Sequence, residues 1–218
     1  MRRQFDEQLE DLAQEMISMG AMIESAIDRA CDALMRHDVH LARSVMEADR
    51  LVDQKERTIE SMCLRLLLMQ QPIARDLRKV SSALKMITDM ERVGDQAEDI
   101  CEIVTVMDPM EDVECLGLMR EMARETRDMV HKAIDAYVAS DVHLARAVME
   151  SDDVVDDLFM RIKAELIEVL ARDASQGQQA LDLLMIAKYF ERIGDHAVNI
   201  SEWVEFSVTG NYKGEELQ

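Results

Sequence analysis

Asp38-Val-His-Leu-Ala-Arg-Ser-Val-Met-Glu-Ala-Asp-Arg-Leu-Val-Asp53 returns 103 residues later as Asp141-Val-His-Leu-Ala-Arg-Ala-Val-Met-Glu-Ser-Asp-Asp-Val-Val-Asp156, with twelve of sixteen positions unchanged. Glu91-Arg-Val-Gly-Asp95 returns 100 residues later as Glu191-Arg-Ile-Gly-Asp195. The chain is therefore an internal duplication whose second copy is three residues shorter between its middle and last elements, near residues 173–179. A length change of this kind belongs in a loop.

Both repeats sit in helical pattern. Ala42, Val45, Asp49, Val52, Glu56 and Ile59 fall at alternating steps of three and four, as do Ala145, Val148, Asp152, Val155, Phe159 and Ile162. Leu9, Leu12, Met16, Met19, Ile23, Ile27, Ala30 and Leu34 form a similar stripe nearer the N-terminus. Asp38 and Asp141 suit the N-cap position, Gln70-Gln71-Pro72 turns the chain with Pro72 in the opening turn of the next helix, and Asp108-Pro109 divides the halves. The expected elements are six long helices: about 3–35, 38–69, 72–107 and 111–139, a fifth behind the N-cap Asp141, and a sixth over about 178–208.

Long helices joined by short turns must run antiparallel. The fold class is therefore all-α: two tandem, pseudo-symmetric antiparallel three-helix bundles at 1–108 and 109–208, followed by a flexible polar tail at 209–218. Composition agrees, with only 2 Pro, 7 Gly and 4% aromatic residues, and with 18 Met that serve as adaptable core filler.

Charge and cysteine usage bound the function. With 45 acidic against 25 basic residues, the formal net charge is -20, which repels nucleic-acid backbones and disfavours simple electrostatic attachment to anionic lipid. Cys31, Cys63, Cys101 and Cys115 lie far apart, as reduced thiols of a cytoplasmic protein do. The N-terminal residues lack the apolar core of a signal peptide, and no stretch reaches the roughly 18 apolar residues of a membrane span. Contact with a membrane is expected to come through partner proteins.

The candidate chemistry lies in acidic pairs one helical turn apart: Asp49 with Asp53, Glu91 with Asp95, Asp152 with Asp156, and Glu191 with Asp195. A single such pair signifies little in so acidic a chain. These recur at matching places in both halves, and they lie in or beside the apolar seam, where an acid needs a partner. Gly94 and Gly194 interrupt helices at a cost of about 1 kcal/mol each, as close approach of a second helix requires. Asp99, one turn past Asp95, extends the first set, and its counterpart Asn199 extends the second with a neutral oxygen.

Two interpretations of these acids stand side by side. Oxygen donors gathered between helices can hold Mg, Mn or Fe, and also Zn or Ni. Alternatively, Arg92, Arg192 and other basic residues neutralise them in ion-pair networks. No Glu-x-x-His motif, phosphate-cradling glycine loop or nucleophile motif accompanies the acids. A carboxylate-bridged multinuclear metalloenzyme and a purely structural helical protein are the alternatives to a regulatory adaptor.

On these repeated motifs, together with Ala197-Val-Asn-Ile200 after the last of them, the chain resembles the PhoU family of bacterial phosphate-signalling regulators over residues 5–208. The resemblance implies paired three-helix bundles that hold metal ions or clusters on the repeated acidic motifs. It implies a cytoplasmic protein that works at the inner membrane through partners, a phosphate transporter ATPase and a sensor histidine kinase, restraining phosphate uptake and holding the phosphate-starvation response off. The long helical surfaces make a homodimer the expectation, and the lack of an active-site constellation points away from an enzyme.

Overall fold

The structure, a computed structural model, describes residues 2–70, 72–108, 113–213 and 215–216. Six helices account for nearly all of them: α1 (Arg2–Arg36), α2 (Val39–Gln70), α3 (Ala74–Val106), α4 (Val113–Ala139), α5 (Val142–Arg172) and α6 (Gly177–Thr209). Residues 109–112, where Pro109 and the expected start of the fourth helix fall, lie outside the described residues.

The helix starts follow from the capping chemistry. The Asp38 carboxylate accepts from the Leu41 backbone N–H at 3.0 Å, and Asp141 accepts from those of His143 and Leu144 at 2.9 and 3.1 Å. Pro72 does not enter a first turn as the sequence implied: α3 begins at Ala74 with Ile73 as its N-cap, leaving Pro72 to set the direction of the turn. The shortened segment of the second half is a 3₁₀ turn, Ala174–Gln176, capped by the Asp173 side chain.

The α1 stripe is buried from Leu12 to Leu34, with Leu9 half-buried beside it, and Ala42, Val45, Val52 and Ile59 of α2 and Ala145, Val148, Val155 and Ile162 of α5 are buried as their spacing required. α1, α2 and α3 pack on one another, as do α4, α5 and α6. The halves are not separate bodies: α3 runs against α6 and α1 against α4, so a single apolar core continues through both bundles. Along the α3–α6 seam, Arg78 lies against Gly210 while Asp89 meets His196 and Asn199, so the two helices are antiparallel.

Past α6 the chain differs from a frayed tail. Gly210 takes a left-handed conformation at φ 85°, Asn211–Tyr212 (β1) pairs antiparallel with Glu215–Glu216 (β2), and Tyr212 stacks on Trp203 with ring centroids 4.1 Å apart.

Candidate metal centre

Each acidic site is built where the middle helix of a bundle crosses the last. In the first bundle, α2 supplies Asp49 and Asp53 and α3 supplies Glu91 and Asp95, each pair separated by one helical turn. At axis separations of about 8 to 10 Å, acids on facing helices can converge. Gly94 leaves room for the Asp49 side chain: a Cβ placed on it would lie 2.7 Å from Asp49 Oδ1 and 3.2 Å from Val52 Cγ1. Gly194 plays the same part for α5, with its virtual Cβ 3.2 Å from Asp152 Oδ1 and 3.4 Å from Val155 Cγ1.

The geometry gathers Asp49, Asp53 and Asp95 so that one carboxylate oxygen of each lies within 4.8 Å of the others. All three are half-buried. Burial, followed by the charges of Glu98, Asp53, Asp95 and Glu91, pushes the Asp49 carboxyl up to about 7. In the second bundle, burial and then Asp156, Asp195, Glu191 and Asp153 push Asp152 up to about 6. Glu91 and Asp195 are raised as well, burial being the main cause for each and its acidic motif partner the next.

Ion pairing among the described residues reaches three of the eight motif acids, two of them through arginine. Arg92 pairs with Asp95 at 2.8 Å and Glu91 at 3.5 Å, and Lys188, not Arg192, takes Glu191. The acids on α2 and α5 gain nothing from this. Among the described residues, Asp49, Asp53, Asp152 and Asp156 make no ion pair with any cationic side chain. Clustered oxygen donors with fewer cations than acids, held at the edge of an apolar core, fit a hard or borderline divalent cation. Of the two sets, the first is the more tightly drawn, and the second is partly occupied by Lys188.

Asp99 and Asn199 are placed differently from the other candidates. Both face the α3–α6 seam. Asn199 Nδ2 donates to Asp89 Oδ1 at 3.1 Å, and the same oxygen accepts from His196 Nδ1 at 2.9 Å. Asp99 lies with Arg92, Asp95, Gln96, Glu98, Arg192 and His196 around an open cleft between the halves. Burial and the charges of Asp95 and Glu102 raise its carboxyl, and Arg192 opposes them. Asp89 and His196 thus have a structural task across the seam that repeat matching did not reveal, since their counterparts are Tyr189 and Gln96.

Glu98 was also missed. It is the first charge acting on Asp49, and its step of three from Asp95 puts it on the same helix face, but its counterpart is Val198, so a search for repeated acids passes over it.

A duplicated all-α scaffold with a carboxylate cluster where the second helix of each bundle crosses the third defines a narrow class of protein. The PhoU domain matches residues 16–104 and again 119–204. The chain belongs to the PhoU family. It is 34% identical over 210 residues to the phosphate-specific transport system accessory protein PhoU homolog of Clostridium acetobutylicum, covering 96% of each chain. With the PhoU accessory protein of Escherichia coli K12 it shares 31% identity, covering 95% of this chain and 86% of that one. The crystal structure of PhoU from Pseudomonas aeruginosa superposes with a TM-score of 0.86 at 33% identity, over 95% of this chain and all 100% of the other. That of the phosphate transport system regulatory protein PhoU from Streptococcus pneumoniae gives 0.87 at 25% identity, over 95% and 98%.

Proposed function

We propose that the chain is a metal-binding regulatory adaptor of phosphate homeostasis. It restrains phosphate uptake and keeps the phosphate-starvation response off through contacts with a phosphate transporter ATPase and a sensor histidine kinase. The relatives' designation as accessory proteins of a phosphate-specific transport system supports the physiological assignment. The observation that carries the metal assignment is the set of α2 and α5 acids, Asp49, Asp53, Asp152 and Asp156, which face the acids of α3 and α6 with no counterion of their own.

A bound Fe, Mn, Mg, Zn or Ni ion would supply the missing positive charge and tie the middle helix of each bundle to the last. Asp49, Asp53, Glu91 and Asp95 hold it in the first half, and Asp152, Asp156, Glu191 and Asp195 in the second. Long helical faces without a nucleophile or a positioned acid–base pair suit docking rather than turnover, so the protein acts by binding. No described helix is long and apolar enough to cross a membrane, and the adaptor works from the cytoplasm, as a homodimer, beside a transporter that does cross.

The test pairs elemental analysis of untagged protein with complementation of a strain lacking the gene. Wild type is expected to carry stoichiometric metal and to restore repression of starvation genes in high phosphate. A helical Asp49→Ala, Asp53→Ala, Asp152→Ala, Asp156→Ala variant is expected to lose both. Metal-free wild type that still represses would remove the metal from the function, and wild type that fails to repress would remove the regulatory role.

A further inference from the structure

At the α2–α3 tip, the described residues on either side of the turn include exposed apolar side chains. Leu68, Met69 and Ile73 are 78%, 74% and 78% exposed, and Leu64 and Leu77 continue the patch one turn down their helices. An exposed apolar cluster is a candidate contact surface. Side chains this exposed suit a fluid apolar phase, which needs no matching shape.

Cations lie close by. Arg65 and Arg75 are exposed on the same tip and Arg78 and Lys79 are half-buried beside it, against the single acid Asp76 in residues 61–80, although acids outnumber bases 45 to 25 in the chain. None of the four makes an ion pair among the described residues; Lys79 instead sits 5.7 Å over the Tyr137 ring, and Arg78 lies at the Gly210 turn. That contact brings the end of α6 alongside, with the chain's only Trp, Trp203, between Tyr212 and the edge of Phe206. Of the acids at this end, Glu202 and Glu205 are occupied by Lys213 and Arg146, Asp11 lies near Arg65 with Asp6, Glu7 and Glu10 on the same turns of α1, and Glu215 and Glu216 lie on β2.

The other helix-pair tip shows that apolar exposure and positive charge are separate features. Ile167 and Leu181 near the α5–α6 turn are also exposed, yet Arg161, Lys163 and Arg172 there are outnumbered by Glu165, Glu168, Asp173 and Asp182.

We propose that the α2–α3 tip is a membrane-contact surface: Leu68, Met69, Ile73 and Leu77 enter the acyl–headgroup boundary of an anionic bilayer, and the exposed Arg65 and Arg75 lie among its phosphates. Apolar side chains beside arginine, with Trp and Tyr alongside, are the elements of interfacial binding. The net charge of -20 does not forbid it, because α1 alone is about 52 Å long and the molecule approaches end-on. The Asp49 and Asp53 cluster lies about 24–30 Å from Met69 along α2, and the Asp152 cluster about 15 Å from the same end along α5. Screening reduces such charges beyond a Debye length of about 8 Å. The surface lies beyond the acidic sites and does not depend on their holding metal.

Flotation of the full chain with phosphatidylcholine vesicles, with and without phosphatidylglycerol, tests this. Wild type is expected to float with the phosphatidylglycerol vesicles and to be released by salt. The Leu68→Ser, Ile73→Ser pair and the Arg65→Gln, Arg75→Gln pair, all exposed positions checked by helicity, should each lower partitioning by about tenfold. An Ile167→Ser, Leu181→Ser control at the other tip should float as wild type does. Wild type that floats with neither vesicle, or tip variants that float unchanged, would overturn the proposal. So would tip variants that lose only self-association or binding to an acidic protein, which would reassign the patch to a protein contact.

Discussion

Gly94 of α3 lies against Asp49 of α2 so closely that a Cβ would stand 2.7 Å from its Oδ1. The atom displaced would be the end of a movable side chain, so the fold can absorb Gly94→Ala, and alanine returns about 1 kcal/mol of helix propensity. The carboxylate, however, must rotate out of its place beside Asp53 and Asp95. The expected result is a variant with a metal-free Tm near that of wild type and with first-site metal lost. Gly194→Ala, with 3.2 Å to Asp152 Oδ1, should retain more of the second site. Thermal melts with and without chelator, alongside metal stoichiometry, check the pair.

Asp49→Asn should separate stability from binding. It removes a half-buried charge opposed by four acids and faced by no cation, so the metal-free protein is expected to gain about 1 kcal/mol after allowing for screening at the exposed face of the carboxylate. For a chain of this size that is about 2–4 °C in Tm. First-site metal should fall at the same time. A destabilised metal-free variant would mean that Asp49 has a stabilising partner.

The pH dependence of the metal-free protein follows from Asp49 and Asp152. Their carboxyls, 3.8 when unfolded, are pushed up to about 7 and about 6 in the folded state. Between these limits the folded protein binds more protons than the unfolded chain, so the contribution of these groups to stability is lost as pH rises from about 4 to about 7. Metal-free Tm is expected to show a downward component across this window, which the Asp49→Asn, Asp152→Asn variant lacks. Metal should reverse it, because it takes the proton's place. Denaturation at several pH values, with and without added divalent cation, measures this.

Asp89→Ala should act on the seam and leave the metal sites alone. It strips His196 and Asn199 of the oxygen they share across α3 and α6, at an expected cost of about 1–2 kcal/mol in urea unfolding. Asn199→Ala is expected to leave second-site metal intact. Loss of that metal on Asn199→Ala would restore Asn199 to the ligand set.

The second-site cluster carries an internal competitor. Lys188 pairs with Glu191, whereas its counterpart in the first half is Thr88. Lys188→Thr is therefore expected to raise second-site metal affinity, by up to about tenfold if one charge-assisted bond of about 1.4 kcal/mol must break for metal to enter. Titration of metal into the Lys188→Thr variant with the first site disabled by Asp49→Ala measures it.

Sequence alone determined the helices, because a 3.6-residue apolar period repeated over thirty-residue spans admits little else, and because Asp38 and Asp141 mark helix starts chemically. It also placed Asp49 and Asp152 in the seam, and it singled out Gly94 and Gly194 as breaks in the propensity pattern. Tertiary structure decided how the acids are shared out. Arg92 and Lys188 take acids of their own helices, one to three residues away, but which of those acids come to face Asp49, Asp53, Asp152 and Asp156 depends on helices some forty residues apart in sequence. Repeat matching could not find Glu98, Asp89 or His196, since pseudo-symmetry fixes the backbone while each seam is packed with its own residues. Average charge likewise hid the basic, apolar tip at Leu68 and Ile73, because a net charge sums over the whole chain, whereas screening lets a surface respond only to the charges within about a nanometre of it.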